Sequence, residues 1–131
     1  MTSAISEILE VAHQAFQDYA KGLSTGEWQP FLDRLSDDFN FWFPAGPFKG
    51  THYGKEKAAA FLASIPQIFP GGLTLTLLQV TANDTTVVFE VRSQGLMGAE
   101  PYENQAAIAF DIRHSRVCAY REYLSVVFPK D

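Results

Sequence analysis

The amino-acid sequence predicts an α+β fold in which helices pack on one face of a curved antiparallel sheet. In the first half of the chain, apolar residues recur at spacings of three and four, whereas after residue 72 they alternate with polar residues. The predicted order α-α-β-α-β-β-β-β places the helices first and a long antiparallel meander last. Because 131 residues support one core, residues 1–131 are expected to form a single domain.

The first predicted helix covers residues 3–23. Ser3 is a suitable N-cap, and Ser-Thr-Gly at 24–26 breaks the helix. Its apolar stripe consists of Ile5, Ile8, Leu9, Ala12, Phe16, Tyr19, Ala20 and Leu23. A stripe at this spacing is typical of an amphipathic helix that covers a core.

Two more helices are predicted before the meander. The second is short, tolerates Pro30 in its first turn, and carries the apolar residues Trp28, Phe31, Leu32 and Leu35. The third begins near Lys55 and is expected to stop at Pro66, because proline removes a helical hydrogen bond. Its stripe consists of Ala58, Phe61, Leu62 and Ile65.

The first predicted strand is Phe-Asn-Phe-Trp-Phe at 39–43, followed by the loop PAGPFKG. Alternating residues at 73–82 and 85–95 predict a hairpin around the turn signal Asn83-Asp84. The segment LMGAEP is expected to form a looser connection to the remaining strands.

The meander ends in two long strands, 102–113 and 117–128, joined by His114-Ser115. Allowing one small irregularity in their pairing gathers apolar residues on one face, as a core requires. That register places Ile112 opposite Cys118, Phe110 opposite Tyr120, Ile108 opposite Glu122, and Ala106 opposite Leu124. Neighbouring residues of a strand point to opposite faces, so Glu122 is expected to point inward and Arg121 outward. The same parity adds Asn104 and Tyr102 to the inward face.

Composition argues against several classes of function. The net charge is −5 and the ten Lys and Arg residues form no basic stripe, so nucleic-acid binding is not expected. No apolar run approaches the ~20 residues of a membrane span, and the N-terminus does not resemble a signal peptide. The single cysteine, Cys118, forms no internal disulfide, which predicts a cytoplasmic protein.

Several segments, taken in order, resemble the nuclear transport factor 2-like superfamily, which includes ketosteroid isomerases and SnoaL-like polyketide cyclases. They are YAKGLSTGEW, LSDDFNFWFP, HYGKEKAAAFL, YENQ and REYL, and together they span nearly the whole chain. The resemblance implies a cone, also described as a cystatin-like α+β roll, in which three N-terminal helices and a curved antiparallel sheet enclose an apolar pocket. It also implies that the position of Glu122 lines this pocket and that the outer sheet face forms a homodimer.

The resemblance does not carry over ketosteroid isomerisation. At the family's two catalytic aspartates this chain has Phe43 and Ile108, and only the oxyanion-donating tyrosine has a counterpart, Tyr19. A carboxylate on an apolar face is costly unless it is paired, hydrated or protonated. Glu122 is therefore a candidate general base for proton abstraction next to a carbonyl, as in an isomerase or cyclase. The alternative is a buried glutamate that only orders the pocket.

The predicted catalytic residues are Glu122, Tyr19, Tyr120 and Asn104. The predicted ligand-binding residues are Tyr102, Phe16, Phe41, Phe43, Phe61, Phe89, Ile108, Phe110 and Leu124. The expected ligand is a small apolar or carbonyl-bearing molecule, because such pockets are mostly apolar with few polar groups. No cofactor is expected, and the three scattered histidines predict no metal site.

Two other classes of function stay open at the level of sequence. One is a non-catalytic ligand-binding or protein-interaction domain of the same fold. The other is an epoxide-hydrolase-like enzyme, since Glu90 and Arg92 have the spacing of an acid-arginine pair on one strand. The alternation of Val87, Phe89 and Val91 predicts, however, that Glu90 and Arg92 point outward.

Overall fold

In the computed structural model, which describes residues 4–125, three α-helices lie on the concave side of a curved, unclosed sheet. The helices are α1 (Ala4–Thr25), α2 (Gln29–Leu32) and α3 (Lys55–Ile68). A short 3₁₀ turn, Gly46–Phe48, lies between α2 and α3 in the chain.

The sheet has six strands, which lie in the spatial order β2-β1-β6-β5-β4-β3. They are β1 (Leu35–Phe43), β2 (Gly50–Tyr53), β3 (Leu73–Ala82), β4 (Thr86–Met97), β5 (Glu100–Arg113) and β6 (Arg116–Leu124). The cone-shaped α+β class is confirmed. All neighbouring strands are antiparallel except β1 and β6, so the sheet is mixed. β1, the first strand in the chain, lies beside β6, the last, and the two run in the same direction.

Three helical boundaries differ from the prediction, the first being the end of α1, which lies at Thr25 and not at residue 23. Leu35 is the first residue of β1 and not part of the second helix. The third helix passes through Pro66 and ends at Ile68, where the Phe69 amide still donates to the Ile65 carbonyl at 2.9 Å. Pro66 removes the hydrogen bond that its own N–H would donate to Leu62, and the helix continues for only two residues beyond it. The predicted N-cap Ser3 lies outside the described residues.

Two connections between strands are also corrected. The segment after the first strand contains β2, a strand of only four residues that pairs with β1, whereas the sequence prediction had only a loop there. Such a short strand carries too little alternation to be recognised. The predicted loose connection 96–101 is a tight hairpin in which Met97 pairs with Glu100. Gly98, with φ +63°, supplies the left-handed conformation that this turn needs.

The pairing of β5 with β6 follows the predicted register over most of its length. Phe110 faces Tyr120, Ile108 faces Glu122, and Ala106 faces Leu124. Near the turn the register shifts, so Ile112 faces Val117 and not Cys118. Val117 is fully buried whereas Cys118 is partly exposed, so Cys118 does not belong to the core face as predicted. The bulge inserts one extra residue into β6, so Cys118 lies on the opposite side of the sheet from the one predicted.

The core lies between α1 and the concave face of β4, β5 and β6. Phe16 of α1 stacks on Phe89 of β4 with ring centroids 4.4 Å apart. Phe89 and Phe110 are both fully buried, and each such side chain contributes about 1.5–3 kcal/mol when it is removed from water. At the other end of α1, Gly22 admits the ring of Trp28, since a Cβ on Gly22 would lie 2.3 Å from that ring. The helix therefore sits directly on the core.

Candidate functional site

A small cavity of about 70 Å³ lies between the concave sheet face, α1 and α3. Its polar lining groups belong to Tyr19, Ser93, Tyr102 and Glu122. The rest of the wall is apolar and consists of Leu23, Phe43, Phe61, Ile65, Phe69, Leu73, Leu75, Val91, Ala106, Ile108 and Leu124. We call this space the inner cavity.

Glu122 projects from β6 into the inner cavity, opposite Ile108. Its Oε1 atom accepts hydrogen bonds from two tyrosine hydroxyls: Tyr19 donates at 3.0 Å, and Tyr120 forms a shorter bond. The two hydroxyl oxygens lie 2.9 Å apart. Among the described residues no hydrogen bond reaches the other oxygen, Oε2. The tyrosines therefore bind one oxygen of the carboxyl group and leave the other without a hydrogen bond from the described residues.

Both tyrosines are placed by the local sequence. Tyr120 lies two residues before Glu122 and so shares its face of β6. Tyr19 belongs to the apolar stripe of α1, and its ring packs against Trp28 at 5.6 Å and Phe31 at 5.2 Å. Because both rings are buried, the donors are held in fixed positions and need no reorganisation when a ligand enters.

Burial raises the pKa of Glu122 above the ordinary glutamate value, and the hydrogen bonds from Tyr120 and Tyr19 offset only part of this effect. Burial, reinforced by the charge of Glu122, raises the pKa of Tyr19 and of Tyr120 well above the usual range. Both tyrosines therefore remain protonated donors.

Arg121 points to the outer face, as the strand parity predicts. It forms a bidentate pair with Asp111, with N–O distances of 2.8 and 2.9 Å. This pair crosses the outer surface of Ala109 and Ala119, which accounts for the burial of two small residues on that face. Arg121 and Glu122 form no salt bridge, so no cation of β6 neutralises the carboxyl group of Glu122.

Five of the predicted ligand-binding residues line the inner cavity: Tyr102, Phe43, Phe61, Ile108 and Leu124. Phe41 instead lines a much smaller void of about 10 Å³ behind Tyr120.

Phe16, Phe89 and Phe110 line neither the inner cavity nor the void behind Tyr120, so the structure does not bring them together with the other predicted ligand-binding residues. Phe16 and Phe89 stack on each other, and Phe89 packs on Phe110 at 5.8 Å. These inward positions lie beneath α1, whose own side chains fill the space. Strand parity identifies an inward residue but does not show whether a helix covers it.

Among the described residues, no hydrogen bond joins Asn104 to Glu122, so the structure does not bring Asn104 together with the other predicted catalytic residues. Its Oδ1 atom accepts hydrogen bonds from the backbone N–H and the hydroxyl group of Ser125, at 3.1 and 2.5 Å. Asn104 therefore fastens the end of β6 to β5. Ser93, which pairs with Asn104 across β4 and β5, lines the cavity instead and was not predicted. Its signal was present, since Ser93 continues the inward alternation of Phe89 and Val91.

A larger space of about 280 Å³, which we call the outer cavity, adjoins the inner one. Six residues line both and define a neck between them: Phe43, Phe61, Ile65, Phe69, Tyr102 and Leu124. Ile68 and Met97 lie at the outer cavity and are 44% and 46% exposed. The Gly98 amide donates to the Ile68 carbonyl at 3.3 Å, which ties the end of α3 to the β4–β5 turn at this opening.

Other candidate chemistries have less support in the structure. Glu90 is exposed, and Arg92 pairs with Glu103 at 3.2 Å, while Val87, Phe89 and Val91 are buried. The acid-arginine pair therefore lies outside the inner and the outer cavity, as its parity predicts. Residues 4–125 contain no cluster of three His, Cys, Asp or Glu side chains that would hold a metal ion. In that range no helix is long and apolar enough to cross a membrane.

The family model for the SnoaL-like domain matches residues 16–120. The chain therefore belongs to the SnoaL-like domain family. A nuclear transport factor 2-like protein from Anabaena variabilis ATCC 29413 is 47% identical in sequence and has a TM-score of 0.91. The match covers 97% of this chain and 96% of that protein. No curated protein is significantly similar to this chain.

Two more distant structures share the fold. One is a hypothetical protein from Catenulispora acidiphila DSM 44928 with a ketosteroid isomerase-like fold, in complex with trimethylamine. It is 13% identical, with a TM-score of 0.72 and coverage of 84% of each chain. The other is an LEH-like epoxide hydrolase from M. tuberculosis, 16% identical, with a TM-score of 0.70 and coverage of 88% of this chain and 84% of its own.

Proposed function

We propose that this protein binds a small molecule in the two adjoining cavities and catalyses proton abstraction next to a carbonyl group, with Glu122 as the general base. The observation that carries the proposal is the asymmetry of the carboxyl group. Two buried tyrosines bind Oε1, whereas no hydrogen bond from the described residues reaches Oε2, and Glu122 lines the inner cavity. The reaction class is that of a cofactor-independent isomerase or cyclase.

The electrostatics support a base at this position. A general base works best when its pKa lies near the working pH, and burial shifts the pKa of Glu122 upward, toward neutrality. The hydroxyls of Tyr19 and Tyr120 stabilise the negative charge of the carboxylate, so the ionised form of Glu122 stays available to act as a base. After Oε2 has taken a proton from carbon, the neutral carboxylic acid is well suited to the apolar surroundings and can return the proton to a second carbon.

Replacement of Glu122 tests the role of the base. In D₂O, exchange of the α-protons of 1-indanone, 4-phenylbutan-2-one and a 3-oxo steroid is followed by proton NMR. The protein is expected to accelerate exchange of at least one ketone, and Glu122→Gln should lower this acceleration by about 10²-fold or more. The matched control is Glu90→Gln on the outer face of the sheet. This variant should accelerate the exchange of the ketone α-protons as much as the unsubstituted protein does. Equal exchange by the protein and by Glu122→Gln would contradict the proposal.

Binding is tested separately from catalysis. A thermal-shift screen with steroids, aromatic polyketide mimics and terpenoids should give stabilisation by at least one class, because a ligand that binds only the folded state raises the melting temperature. If no compound in the set shifts the transition, the small-molecule proposal fails.

The second candidate is a non-catalytic ligand-binding or protein-interaction domain of the same fold. It is favoured by the satisfied network around Oε1, which a structural glutamate needs equally. The distant Catenulispora acidiphila relative, in complex with trimethylamine, is an example of a protein of this fold with a small ligand. Binding of a ketone without exchange of its α-protons would favour this candidate. An epoxide-hydrolase-like activity has less support, since Glu90 and Arg92 lie outside the inner and the outer cavity.

Two further features belong to the same proposal. The single cysteine fits the reducing cytoplasm as the location of the protein. We also propose a homodimer through the outer sheet face, where Trp42 and Tyr123 form an aromatic pair with centroids 5.2 Å apart.

A further inference from the structure

We infer that the ligand is a ketone or aldehyde carried on an apolar body, that its carbonyl unit enters the inner cavity while the body stays in the outer cavity, and that Tyr102 donates a hydrogen bond to the carbonyl oxygen. The inference rests on the proposed function, since it names the substrate class and a further residue for the same site.

The volumes of the two cavities set the size of each part of the ligand. An apolar cavity of about 150 Å³ holds one benzene molecule, which has six heavy atoms. By that scale the inner cavity of about 70 Å³ takes roughly three heavy atoms, as many as an oxygen, its carbonyl carbon and one α-carbon. The outer cavity of about 280 Å³ takes roughly a dozen, the size of one or two rings. A polycyclic body does not fit beside Glu122.

The polar groups are distributed in the same way. Glu122 lines only the inner cavity, whereas the outer cavity is lined almost entirely by apolar side chains. Tyr102 belongs to the neck and is therefore in reach of a group that enters the inner cavity. Its ring packs on Phe69 with centroids 4.9 Å apart, which holds it at this position. A ligand with a polar end and an apolar end is thus oriented with the polar end inward.

The hydroxyl group of Tyr102 is suited to donate to a ligand oxygen. Asn104 uses its Oδ1 atom to accept from Ser125, which leaves its amide N–H₂ to donate to the Tyr102 oxygen. Ser93 is the other hydrogen-bond partner of the Tyr102 hydroxyl, and a ligand carbonyl oxygen would take the place of the Ser93 hydroxyl as acceptor of the Tyr102 proton. Burial, aided by the charge of Glu122, raises the pKa of Tyr102 and keeps this proton in place. Tyr19, the donor that the family resemblance implies, is already committed to Glu122.

The chemical step balances without a co-reactant. Oε2 of Glu122 takes the proton from the α-carbon, and the electron pair of that C–H bond becomes the new carbon–carbon double bond. The π pair of the carbonyl group moves onto its oxygen, where the Tyr102 hydroxyl stabilises the developing charge. Return of the proton from Glu122 to carbon restores the carboxylate.

Three probes test the inference through binding alone: 4-phenylbutan-2-one, butylbenzene, which lacks the carbonyl group, and acetone, which lacks the body. We expect 4-phenylbutan-2-one to bind most tightly in an NMR titration. Tyr102→Phe should weaken its affinity about 2- to 10-fold and leave that of butylbenzene within about 2-fold, since it removes one neutral hydrogen bond. Tyr53→Phe is the matched control, because Tyr53 is 75% exposed on β2, and it should change neither affinity.

Orientation gives a second readout that does not depend on the stability of the variants. In the unsubstituted protein, nuclear Overhauser effects should connect the acetyl protons of 4-phenylbutan-2-one with the Ile108 methyl groups and its phenyl protons with the Met97 methyl group. A reversed pattern, no binding of this ketone, or an unchanged ketone affinity in Tyr102→Phe would each overturn the inference. Ketone binding in the expected orientation without α-proton exchange would support the inference and contradict the proposed catalysis, so the two failures are distinguishable.

Discussion

At the scale of single residues, the most informative feature is a carboxyl group whose surroundings oppose its charge. Glu122 is flanked by Ile108 and Leu124 on the concave face, and its partly buried carboxyl group accepts hydrogen bonds from two tyrosine hydroxyls. One neutral hydrogen bond contributes only about 1 kcal/mol net, so two of them do not cancel the cost of burying a charge. This residue is therefore maintained at some expense to stability, as is common at functional sites.

The raised pKa of Glu122 predicts how the free energy of unfolding depends on pH. Because burial raises the folded-state pKa of Glu122, the folded chain keeps this proton where the unfolded chain has lost it. The resulting stabilisation is fully present below the unfolded value of about 4.3 and is lost as the pH rises through the folded-state pKa. Glu122→Gln removes this loss, so it should be nearly neutral at acidic pH and increasingly stabilising as the pH rises to neutrality.

Urea unfolding of both proteins at a series of pH values measures the difference. Glu90→Gln, at an exposed position, should show no comparable drift. A difference between Glu122→Gln and the unsubstituted protein that stays constant across the series would contradict the assigned pKa shift.

At the scale of elements, the site depends on how closely α1 approaches its neighbours. Tyr19 reaches Glu122 only because α1 lies directly on the core, and Gly22, one turn further on, lets the Trp28 ring pack against the helix backbone. A glycine within a helix costs about 1 kcal/mol relative to alanine. The close packing of Trp28 compensates for this cost, and Trp28 in turn contacts the Tyr19 ring.

Gly22→Ala should therefore destabilise the protein although alanine is the better helix former. The new Cβ would lie 2.3 Å from Trp28, and this ring is buried and has little room to move. Overpacking of this kind costs about 1–3 kcal/mol, which outweighs the gain in helix propensity. Gly71→Ala is the control, because no heavy atom lies within 4 Å of the added Cβ and its backbone is not left-handed. Thermal unfolding should rank Gly22→Ala below both Gly71→Ala and the unsubstituted protein.

At the scale of the whole molecule, the sheet separates two environments. Its concave face carries the cavities, and its outer face carries the Asp111–Arg121 pair beside exposed apolar groups, including Tyr123 at 49% and Leu78 at 45% exposure. Small residues such as Ala107 on this face allow a second sheet to approach closely.

These features predict a homodimer in which two outer sheet faces pack about a two-fold axis. Light scattering at micromolar concentration should give about twice the chain mass of 14.6 kDa. Tyr123→Glu should shift the mass toward that of one chain by placing a charge in the interface, whereas Tyr53→Glu, at the exposed edge strand, should not. A single-chain mass for the unsubstituted protein would overturn the prediction.

By itself the sequence determined the periodic elements and which residues of each strand point inward. The parity that places Glu122 inside and Arg121 outside follows from the two-residue repeat of a strand, and the stripe that presents Tyr19 follows from the helical repeat. These are local properties, so a single sequence suffices to predict them. The shared order of its segments also sufficed to indicate the family.

Only the tertiary structure decided which inward residues meet empty space. Phe89 and Phe43 are both apolar strand residues, yet α1 covers Phe89 whereas Phe43 borders both cavities. The same holds for Asn104, which turns to Ser125, and for β2, which is a strand because β1 offers it a partner. Each of these outcomes depends on contacts between segments distant in the chain, which the periodicity of one segment does not contain.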